Sequence, residues 1–311
     1  LAKALEAQGA KLHVIFKKTN APSPQETTVR LHPIDVRWGR PATAQILQLL
    51  REIQADWVGL QYMPYGFHSR GMPFYMPDLA GAIRQAGIQL AVTFHEVQVR
   101  PQGIKGRIRS AIQGQIAKAL CREADLCFTS IEFYQNLLRS YRQEIIVLPV
   151  GSNISPIPIS PEKRAAIRQE FFPNTNLVIS TFGQRDLSAL LEAVVRLEAA
   201  GLDVGLLVCG QTAPVPEQQL PTKLHCTGYL PAAEISQFLQ SSDLFVLPDV
   251  VSLHGAGGSC NKSGSLAAAY AAGLPVIGTR GDMNNLLLQH QENIWLAEDA
   301  RAANLYTAIR E

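Results

Sequence analysis

The sequence predicts an α/β protein made of two doubly wound, Rossmann-like domains. Short apolar segments recur along all 311 residues, and most are followed by a stretch with helical spacing, as in parallel strands that alternate with helices. These segments are almost continuously apolar, which is typical of a parallel sheet covered on both faces. This alternation of strands and helices occurs twice along the chain, and a segment rich in proline and serine, residues 151–164, separates the two halves. We therefore predict domains over residues 1–155 and 156–311, with a hinge at residues 151–161.

In the first half, a helical stretch, "LAKALEAQG", precedes the first predicted strand. Strands are predicted at "KLHVIF", "WVGLQY", "QLAVTFH", "DLCFTS" and "EIIVLPV". The helices between them are predicted at "ATAQILQLLREIQ", "MPDLAGAIRQAG" and "RIRSAIQGQIAKALCREA". Because a Rossmann-like domain ordinarily begins with a strand, this order predicts that the first strand of the domain is missing.

The second half repeats the plan, with strands predicted at "LVISTFG", "DVGLLVCG", "KLHCTG", "DLFVLPD" and "LPVIGT". Its helices are predicted at "DLSALLEAVVRLEAAG", "AAEISQFLQSS" and "SGSLAAAYAAG". The alanines of the last helix allow it to pack closely on the sheet. Gly273 is expected to end that helix as a C-terminal cap.

Composition places the chain among folded proteins, since 47% of its residues are hydrophobic and only 17% are charged. The sequence has no apolar run near the ~20 residues that cross a bilayer and no secretory signal, so we predict a cytoplasmic protein. Its five cysteines are odd in number and include no C-x-x-C pair, which argues against a disulfide framework or a zinc site. We expect them to be small buried residues.

The charge is unevenly divided, because residues 1–155 carry 18 Lys and Arg against 11 Asp and Glu, whereas residues 156–311 carry 10 against 15. The basic half includes Lys105, Arg107 and Arg109, on a predicted helix whose isoleucines recur every four residues from Ile104 to Ile116. Such a helix is suited to bind the anionic inner face of a membrane or an acidic acceptor. The alternative is a solvated basic face whose isoleucines pack inward.

The start of the alanine-rich helix is a candidate phosphate site. Lys262, Ser263, Gly264 and Ser265 combine a positive charge and two hydroxyls with the unpaired N–H groups of a helix N-terminus, which suits a diphosphate. The alternative is an ordinary capped helix with a surface lysine. The stretch is no P-loop, since Ala256 and Asn261 occupy both glycine positions, and neither half shows the G-x-G-x-x-G of a dinucleotide site.

Two groups of residues in the first half are candidates for ligand binding, and all of them except His95 are candidates for acceptor recognition. His95 and Glu96 end an apolar strand, where open α/β sheets bind ligands, although a structural histidine and a surface glutamate would look the same. The loop after the preceding strand combines glycines with aromatic rings that can stack on sugars, unless it is simply a packed aromatic loop. Its candidate residues are Gln61, Tyr62, Tyr65, Gly66, Phe67 and His68.

Longer motifs resemble a known family. "LHCTGYLPAAEISQFLQSSDLFVLPDV" and "GSLAAAYAAGLPVIGTRGD" are similar to the donor-binding half of GT-B glycosyltransferases, most of all to the retaining enzymes of family four. "LVISTFG" and "LLVCG" match the first two strands of that half, and "VTFHEV" and "FTSIEFYQNLL" match the acceptor half. The resemblance covers most of the chain.

This resemblance implies a hexosyltransferase-like enzyme with a cleft between two domains. It would move a sugar from a UDP or GDP sugar to a saccharide, lipid or small-molecule acceptor, with no metal, no other cofactor and no nucleic acid. His95 would lie near the donor sugar, and His95 and Lys262 are the candidate catalytic residues. The donor-binding residues it implies are Gly183, Arg185, Gly210, Gly228, Tyr229, Leu230, Asn261, Ser263, Gly264 and Ser265.

The sequence also departs from the family pattern. Cys260 and Ala268 stand where the family usually carries two glutamates, and the turn after "TFG" retains only Arg185 of the usual basic pair. "NKSGS" instead resembles family members with a basic [RK]-x-[GS]-[ST] turn. An alternative hypothesis is therefore a non-catalytic GT-B scaffold that binds a nucleotide sugar or a partner enzyme.

Overall fold

The computed structural model describes residues 2–17, 29–34, 38–210 and 220–311. The chain divides into two compact units: residues 1–129 with 134–146, and residues 130–133 with 147–311. Each unit contains parallel β-structure joined by helices, which confirms the predicted α/β class with two Rossmann-like domains.

The first unit follows the predicted alternation of strands and helices. Its strands are β1 (His13–Lys17), β2 (Arg30–Ile34), β3 (Trp57–Tyr62), β4 (Gln89–Phe94), β5 (Leu126–Thr129) and β6 (Ile146–Val147). Its helices are α1 (Ala2–Ala7), α2 (Arg40–Glu52), α3 (Pro64–Phe67), α4 (Met76–Gln85), α5 (Gly103–Glu123) and α6 (Glu132–Arg139). Strands β3, β4, β5 and β6 are neighbours in that order, and β1 pairs with β2 in a separate parallel pair.

The strands that carry the candidate acceptor residues end in register. Tyr62 of β3 lies opposite Phe94 of β4, which lies opposite Thr129 of β5. The backbone N–H of His95 donates to the carbonyl oxygen of Tyr62 at 3.0 Å. The register therefore places His95 beside the loop that follows β3.

The second unit is built on one six-stranded sheet in the order β12, β11, β10, β7, β8, β9. The strands are β7 (Leu177–Phe182), β8 (Val204–Cys209), β9 (Leu224–Cys226), β10 (Leu244–Val246), β11 (Val276–Thr279) and β12 (Trp295–Ala297). The helices are α7 (Pro161–Phe171), α8 (Ser188–Ala199), α9 (Ala232–Gln240), α10 (Gly264–Ala271) and α11 (Ala302–Arg310).

Helices cover both faces of this sheet. Val246 packs with α8 and α11 on one face, whereas its neighbours Phe245 and Leu247 pack with α9 and α10 on the other. Successive residues of a strand point to opposite faces, so a continuously apolar strand must be covered on both. The prediction that the unbroken apolar segments belong to a sheet covered on both faces is thus confirmed in this unit.

The segment predicted as a hinge, residues 151–161, packs on the second unit. Ile154 is buried in the same apolar cluster as Leu266 of α10. The backbone N–H of Ile157 donates to Ser236 Oγ at 2.9 Å, and Gln240 Nε2 donates to the carbonyl oxygen of Ile157 at 2.6 Å. These contacts fix the segment along α9 and α10.

Two local predictions have different outcomes. Gly273 follows α10 with φ +74°, and its N–H donates to the carbonyl oxygen of Tyr270, which confirms the C-terminal cap. The expectation that all the cysteines are buried is wrong for Cys226, which is exposed because it lies on β9, the edge strand of the sheet.

Among the residues that the structure describes, no helix is long and apolar enough to span a bilayer.

Candidate functional site

Helix α10 begins with the cap that its sequence predicts. Ser263 is the N-cap residue in an extended conformation, and its Oγ accepts the backbone N–H of Leu266 at 3.3 Å. Lys262, Gly264 and Ser265 are all partly exposed beside it. The charged and hydroxyl groups of this turn are therefore within reach of a ligand.

Arg185, in the loop between β7 and α8, lies against the same turn. Its Nη2 donates to Ser263 Oγ and its Nη1 to Ser265 Oγ, both at 3.1 Å. Its Nε donates to Asp249 Oδ1 at 3.1 Å, and Nη1 also donates to the carbonyl oxygen of Phe182 at 2.6 Å. Only 15% of the Arg185 side chain is exposed, so the guanidinium is held in one orientation.

Asp249 is the residue of this site that the sequence analysis missed. It follows β10, and its Oδ2 accepts the hydroxyl of Ser259 at 2.9 Å. Its carbonyl oxygen accepts the hydroxyl of Thr279 at 2.8 Å, and Ser259 Oγ accepts the N–H of Thr279 at 3.0 Å. A carboxylate directly after an apolar parallel strand was a readable signal, because ligands bind at the carboxyl ends of such strands.

Three candidate glycines lie at the carboxyl ends of neighbouring strands. Gly183, Gly210 and Gly228 follow β7, β8 and β9 and have φ values of +96°, +110° and +64°. The N–H of Gly183 donates to the carbonyl oxygen of Cys209, and the N–H of Gly210 to that of Gly228. A Cβ on Gly183 would lie 2.9 Å from Ser265 Oγ and 3.0 Å from Arg185 Nη1. Gly183 is therefore what lets Arg185 and α10 approach each other.

The remaining donor candidates lie in different surroundings. Asn261 donates through Nδ2 to Asn285 Oδ1 at 3.1 Å, and its carbonyl oxygen accepts the N–H of Val150 at 2.9 Å. Tyr229 is 89% exposed, whereas Leu230 packs against the apolar cluster of α9 and α10. Asn261 thus belongs to the turn before α10, and Tyr229 presents an open aromatic face.

The positions of the two replaced glutamates are both buried. Ala268 is 1% exposed in the core under α10, and Cys260 is 9% exposed. Burial raises the pKa of the Cys260 thiol, which keeps it neutral near neutral pH. Neither position supplies a negative charge to this site.

In the first unit, His95 is held by the neighbouring strand. Its Nε2 lies 2.8 Å from Gln61 Oε1. Because an amide oxygen can only accept, His95 Nε2–H is the donor of this hydrogen bond. Gln61 Nε2 in turn reaches Thr93 Oγ1 at 3.5 Å. Glu96 is half-buried next to His95. The register of β3 and β4 brings Gln61 and His95 together, a contact that the sequence did not predict.

The aromatic residues of the loop after β3 divide into packed and open rings. Tyr62 is fully buried, its ring lies 6.3 Å from Phe67 and 5.5 Å from Phe94, and burial raises the pKa of its hydroxyl. Tyr65 is 40% exposed and its hydroxyl accepts Arg109 Nη1 at 3.2 Å, while Gly66 is exposed as well. Tyr65 is therefore open to a ligand, whereas Tyr62 is a packing residue here.

A cavity of about 220 Å³ adjoins this loop. It is lined by Arg40, His68, Met72, Phe74, Tyr75 and Asp78. His68 Nδ1 accepts the backbone N–H groups of Arg70 and Met72, so its Nε2 carries the proton in the neutral ring. Gln113, which is buried, donates to the carbonyl oxygen of Gly71 at 2.9 Å and fixes the loop. The cavity combines an aromatic wall with cationic, anionic and hydrogen-bonding groups.

The part of the chain that the structure describes holds no group of three or more His, Cys, Asp or Glu side chains arranged to bind a metal ion.

A known protein family matches most of the second unit. Residues 174–311 match the family model of the glycosyl transferases group 1. None of the curated proteins matches the sequence significantly. These residues contain the whole β7 to α11 region, including Arg185, Asp249 and α10.

Solved structures of GT-B enzymes share the fold. Anabaena HepE, in complex with UDP and glucose, is 17% identical over 90% of this chain and 75% of that chain, with a TM-score of 0.62. The sucrose-phosphate synthase of Thermosynechococcus elongatus is 16% identical over 99% and 80%, with a TM-score of 0.68. A glycosyltransferase of Rickettsia africae is 15% identical over 99% and 81%, with a TM-score of 0.66.

Together, these findings confirm the resemblance to GT-B glycosyltransferases in fold, and the family match over residues 174–311 supports the prediction of a glycosyltransferase. The narrower assignment to family four stays a prediction. So do the individual roles of the site residues.

Proposed function

We propose that this chain, whose residues 174–311 form a group 1 glycosyl transferase domain, transfers a sugar from a nucleoside diphosphate sugar and binds the diphosphate at the start of α10. The observation that carries the proposal is the convergence of Arg185, Ser263 and Ser265 at one helix N-terminus, with the partly exposed Lys262 next to Ser263 in the chain. Positive charge, hydroxyl groups and free N–H groups are the donors that a diphosphate requires.

The chemistry of this site suits a departing diphosphate. Negative charge grows on the leaving group as the bond to the sugar breaks, and fixed donors that already point there stabilise it without reorganisation. Lys262 and the N–H groups of α10 supply that stabilisation, so we propose transfer without a metal ion. Retention of configuration is the stereochemistry that the family resemblance implies.

UDP is the nucleotide to test first. HepE, which shares the fold, has been crystallised with UDP and with UDP-glucose. GDP is the alternative from the sequence analysis, and the described contacts to the phosphates favour neither base.

The acceptor end of the reaction is proposed for the first unit. The cavity beside the loop after β3 has Phe74, which is 61% exposed, as a stacking face, and Arg40, His68 and Asp78 as hydrogen-bonding groups. A sugar ring presents one apolar face and a rim of hydroxyls, which matches such a lining. A saccharide acceptor, free or attached to a lipid, is the class that fits best.

The N-terminal part of α5 supports an anionic membrane surface as a further partner. Ile104 is 78% exposed and Ile108 is 57% exposed, and Lys105 and Arg107 are exposed between them. The inward packing considered from the sequence holds for Ile116, which is buried. Exposed isoleucines among basic residues are the arrangement of a helix that lies on a membrane surface.

The test of the main proposal compares Lys262→Ala with Lys163→Ala, an exposed lysine of α7 in the same unit. Calorimetry with UDP and GDP measures nucleotide affinity, and turnover is measured with UDP sugars in the presence of EDTA. We expect Lys262→Ala to lose affinity and kcat, with a total loss of about 3 kcal/mol of transition-state stabilisation. Lys163→Ala should match the parent.

Several results would contradict the proposal. A parent protein that binds neither UDP nor GDP has no nucleotide site of this kind. Equal losses in Lys262→Ala and Lys163→Ala would show that general surface charge, rather than this turn, attracts the nucleotide. Nucleotide binding without turnover of any donor would favour the non-catalytic scaffold. Loss of all turnover in EDTA would refute transfer without a metal.

A further inference from the structure

The Arg185 guanidinium is already committed to contacts within the protein. It uses Nε for Asp249, Nη1 for Phe182 and Ser265, and Nη2 for Ser263. A guanidinium has five N–H groups, so four of them are engaged. With 15% of the side chain exposed, little of Arg185 remains to bind a ligand directly.

The hydrogen bonds of Ser263 fix the direction of its own proton. Its Oγ accepts Arg185 Nη2 at 3.1 Å and the N–H of Leu266 at 3.3 Å. A hydroxyl oxygen has two lone pairs and one proton, so a third partner can only accept that proton. Ser265 Oγ accepts Arg185 Nη1 at 3.1 Å and is biased in the same way. Ser263 is thus prepared to donate to an anion, and Ser265 can donate to the same ligand.

Asp249 is the group that makes this arrangement rigid. It accepts Nε of Arg185 through Oδ1 and the hydroxyl of Ser259 through Oδ2, so each carboxylate oxygen has a fixed partner. Ser259 is fully buried and is itself bonded to the N–H of Thr279 on β11. The sheet therefore orients Asp249, and Asp249 orients Arg185.

We propose that Asp249 is a positioning residue of the donor site, which holds Arg185 so that the guanidinium orients the Ser263 and Ser265 hydroxyls as donors to the diphosphate. This inference rests on the proposed function. It assigns Arg185 an indirect role, through the two serines, in place of direct contact with the phosphates. Asp249 contributes although its own charge has the same sign as the ligand.

The test is a mutant cycle read by calorimetry with UDP and with inorganic diphosphate. Asp249→Ala should weaken UDP binding by roughly 10-fold or more, the effect of losing charge-assisted hydrogen bonds. Asp249→Asn keeps an oxygen for Arg185 Nε and should retain most of the affinity. In a Ser263→Ala/Ser265→Ala background, Asp249→Ala should have no further effect, because the hydroxyls through which it acts are gone.

Asp203→Ala is the matched control. Asp203 accepts Lys223 Nζ at 2.6 Å in a partly exposed ion pair, but it precedes β8, at the amino end of the strands. Its loss should leave UDP affinity unchanged. If Asp249→Ala does not fold, Arg185→Lys replaces it, since lysine keeps the charge but cannot reach both serines and Asp249 at once.

The outcomes separate this inference from the proposed function. UDP affinity in Asp249→Ala or Arg185→Lys equal to that of the parent refutes the positioning role. An equal effect of Asp249→Ala in the parent and in the double-serine background also refutes it, because Arg185 would then contact the phosphates directly. A parent that binds neither UDP nor inorganic diphosphate overturns the proposed function itself, and this inference with it.

Discussion

Replacing Gly183 by alanine should weaken nucleotide binding at the proposed donor site in addition to destabilising the fold. Ordinary van der Waals contact begins near 3.4 Å, whereas the new Cβ would lie 2.9 Å from Ser265 Oγ and 3.0 Å from Arg185 Nη1. Both atoms must therefore move away from the new Cβ, Ser265 Oγ by about 0.5 Å and Arg185 Nη1 by about 0.4 Å. We expect the hydrogen bond between them, 3.1 Å long in the parent, to be weakened or lost.

The expected cost follows from these distances. Loss of a hydrogen bond from a charged donor costs about 1.5 to 3 kcal/mol, which is roughly 10-fold or more in affinity when the bond orients a ligand group. The positive φ of +96° adds a separate strain of about 1 to 2 kcal/mol to folding, because an L-residue rarely adopts it.

Gly201→Ala is the control that isolates the site effect. Gly201 has φ +83°, close to that of Gly183, and a Cβ there meets nothing within 4 Å. Thermal unfolding should therefore show a loss of stability in both variants, at least as large in Gly183→Ala, while UDP calorimetry should show weaker binding in Gly183→Ala alone. Equal UDP affinities in the two variants, or weaker binding in Gly201→Ala, would refute the reasoning.

Three further predictions follow from other parts of the chain. His95→Ala should lower kcat while leaving UDP affinity nearly intact, because His95 lies in the first unit; loss of UDP binding would contradict this. Ile104→Ser with Ile108→Ser should reduce sedimentation with anionic vesicles, and added salt should weaken binding of the parent, since the screening length is only ~8 Å at physiological ionic strength. Equal binding to neutral vesicles would refute a role for the basic residues. Burial among phenylalanine rings lowers the pKa of His225 in the folded protein. The unfolded chain therefore binds a proton at His225 more readily than the folded protein does, and the free energy of unfolding decreases as pH falls below about 6.5. His225→Phe should flatten the fall in Tm between pH 7 and 5, and an unchanged slope would contradict the assignment.

The local pattern of the sequence was enough to predict most helices and strands. Continuously apolar segments such as Val204–Cys209 can be satisfied only by a sheet covered on both faces, and the chemistry of residues 262–265 is contained in one turn. Two kinds of element escaped prediction. Trp295–Ala297 carries too little periodicity to be recognised, and the helix Pro161–Phe171 begins inside the segment rich in proline and serine that separates the two halves.

Only the tertiary structure decided which of the candidates meet. Arg185 is 64 residues from Asp249 and 78 from Ser263 along the chain. The parallel pairing of β7 with β10 brings the loop that carries Arg185 and the loop that carries Asp249 and Ser263 to one edge of the sheet. Burial was likewise decided by packing, which covers Tyr62 completely but leaves Ile104 exposed. Sequence pattern reports the periodicity of one segment, whereas contact and exposure depend on which other segments lie against it.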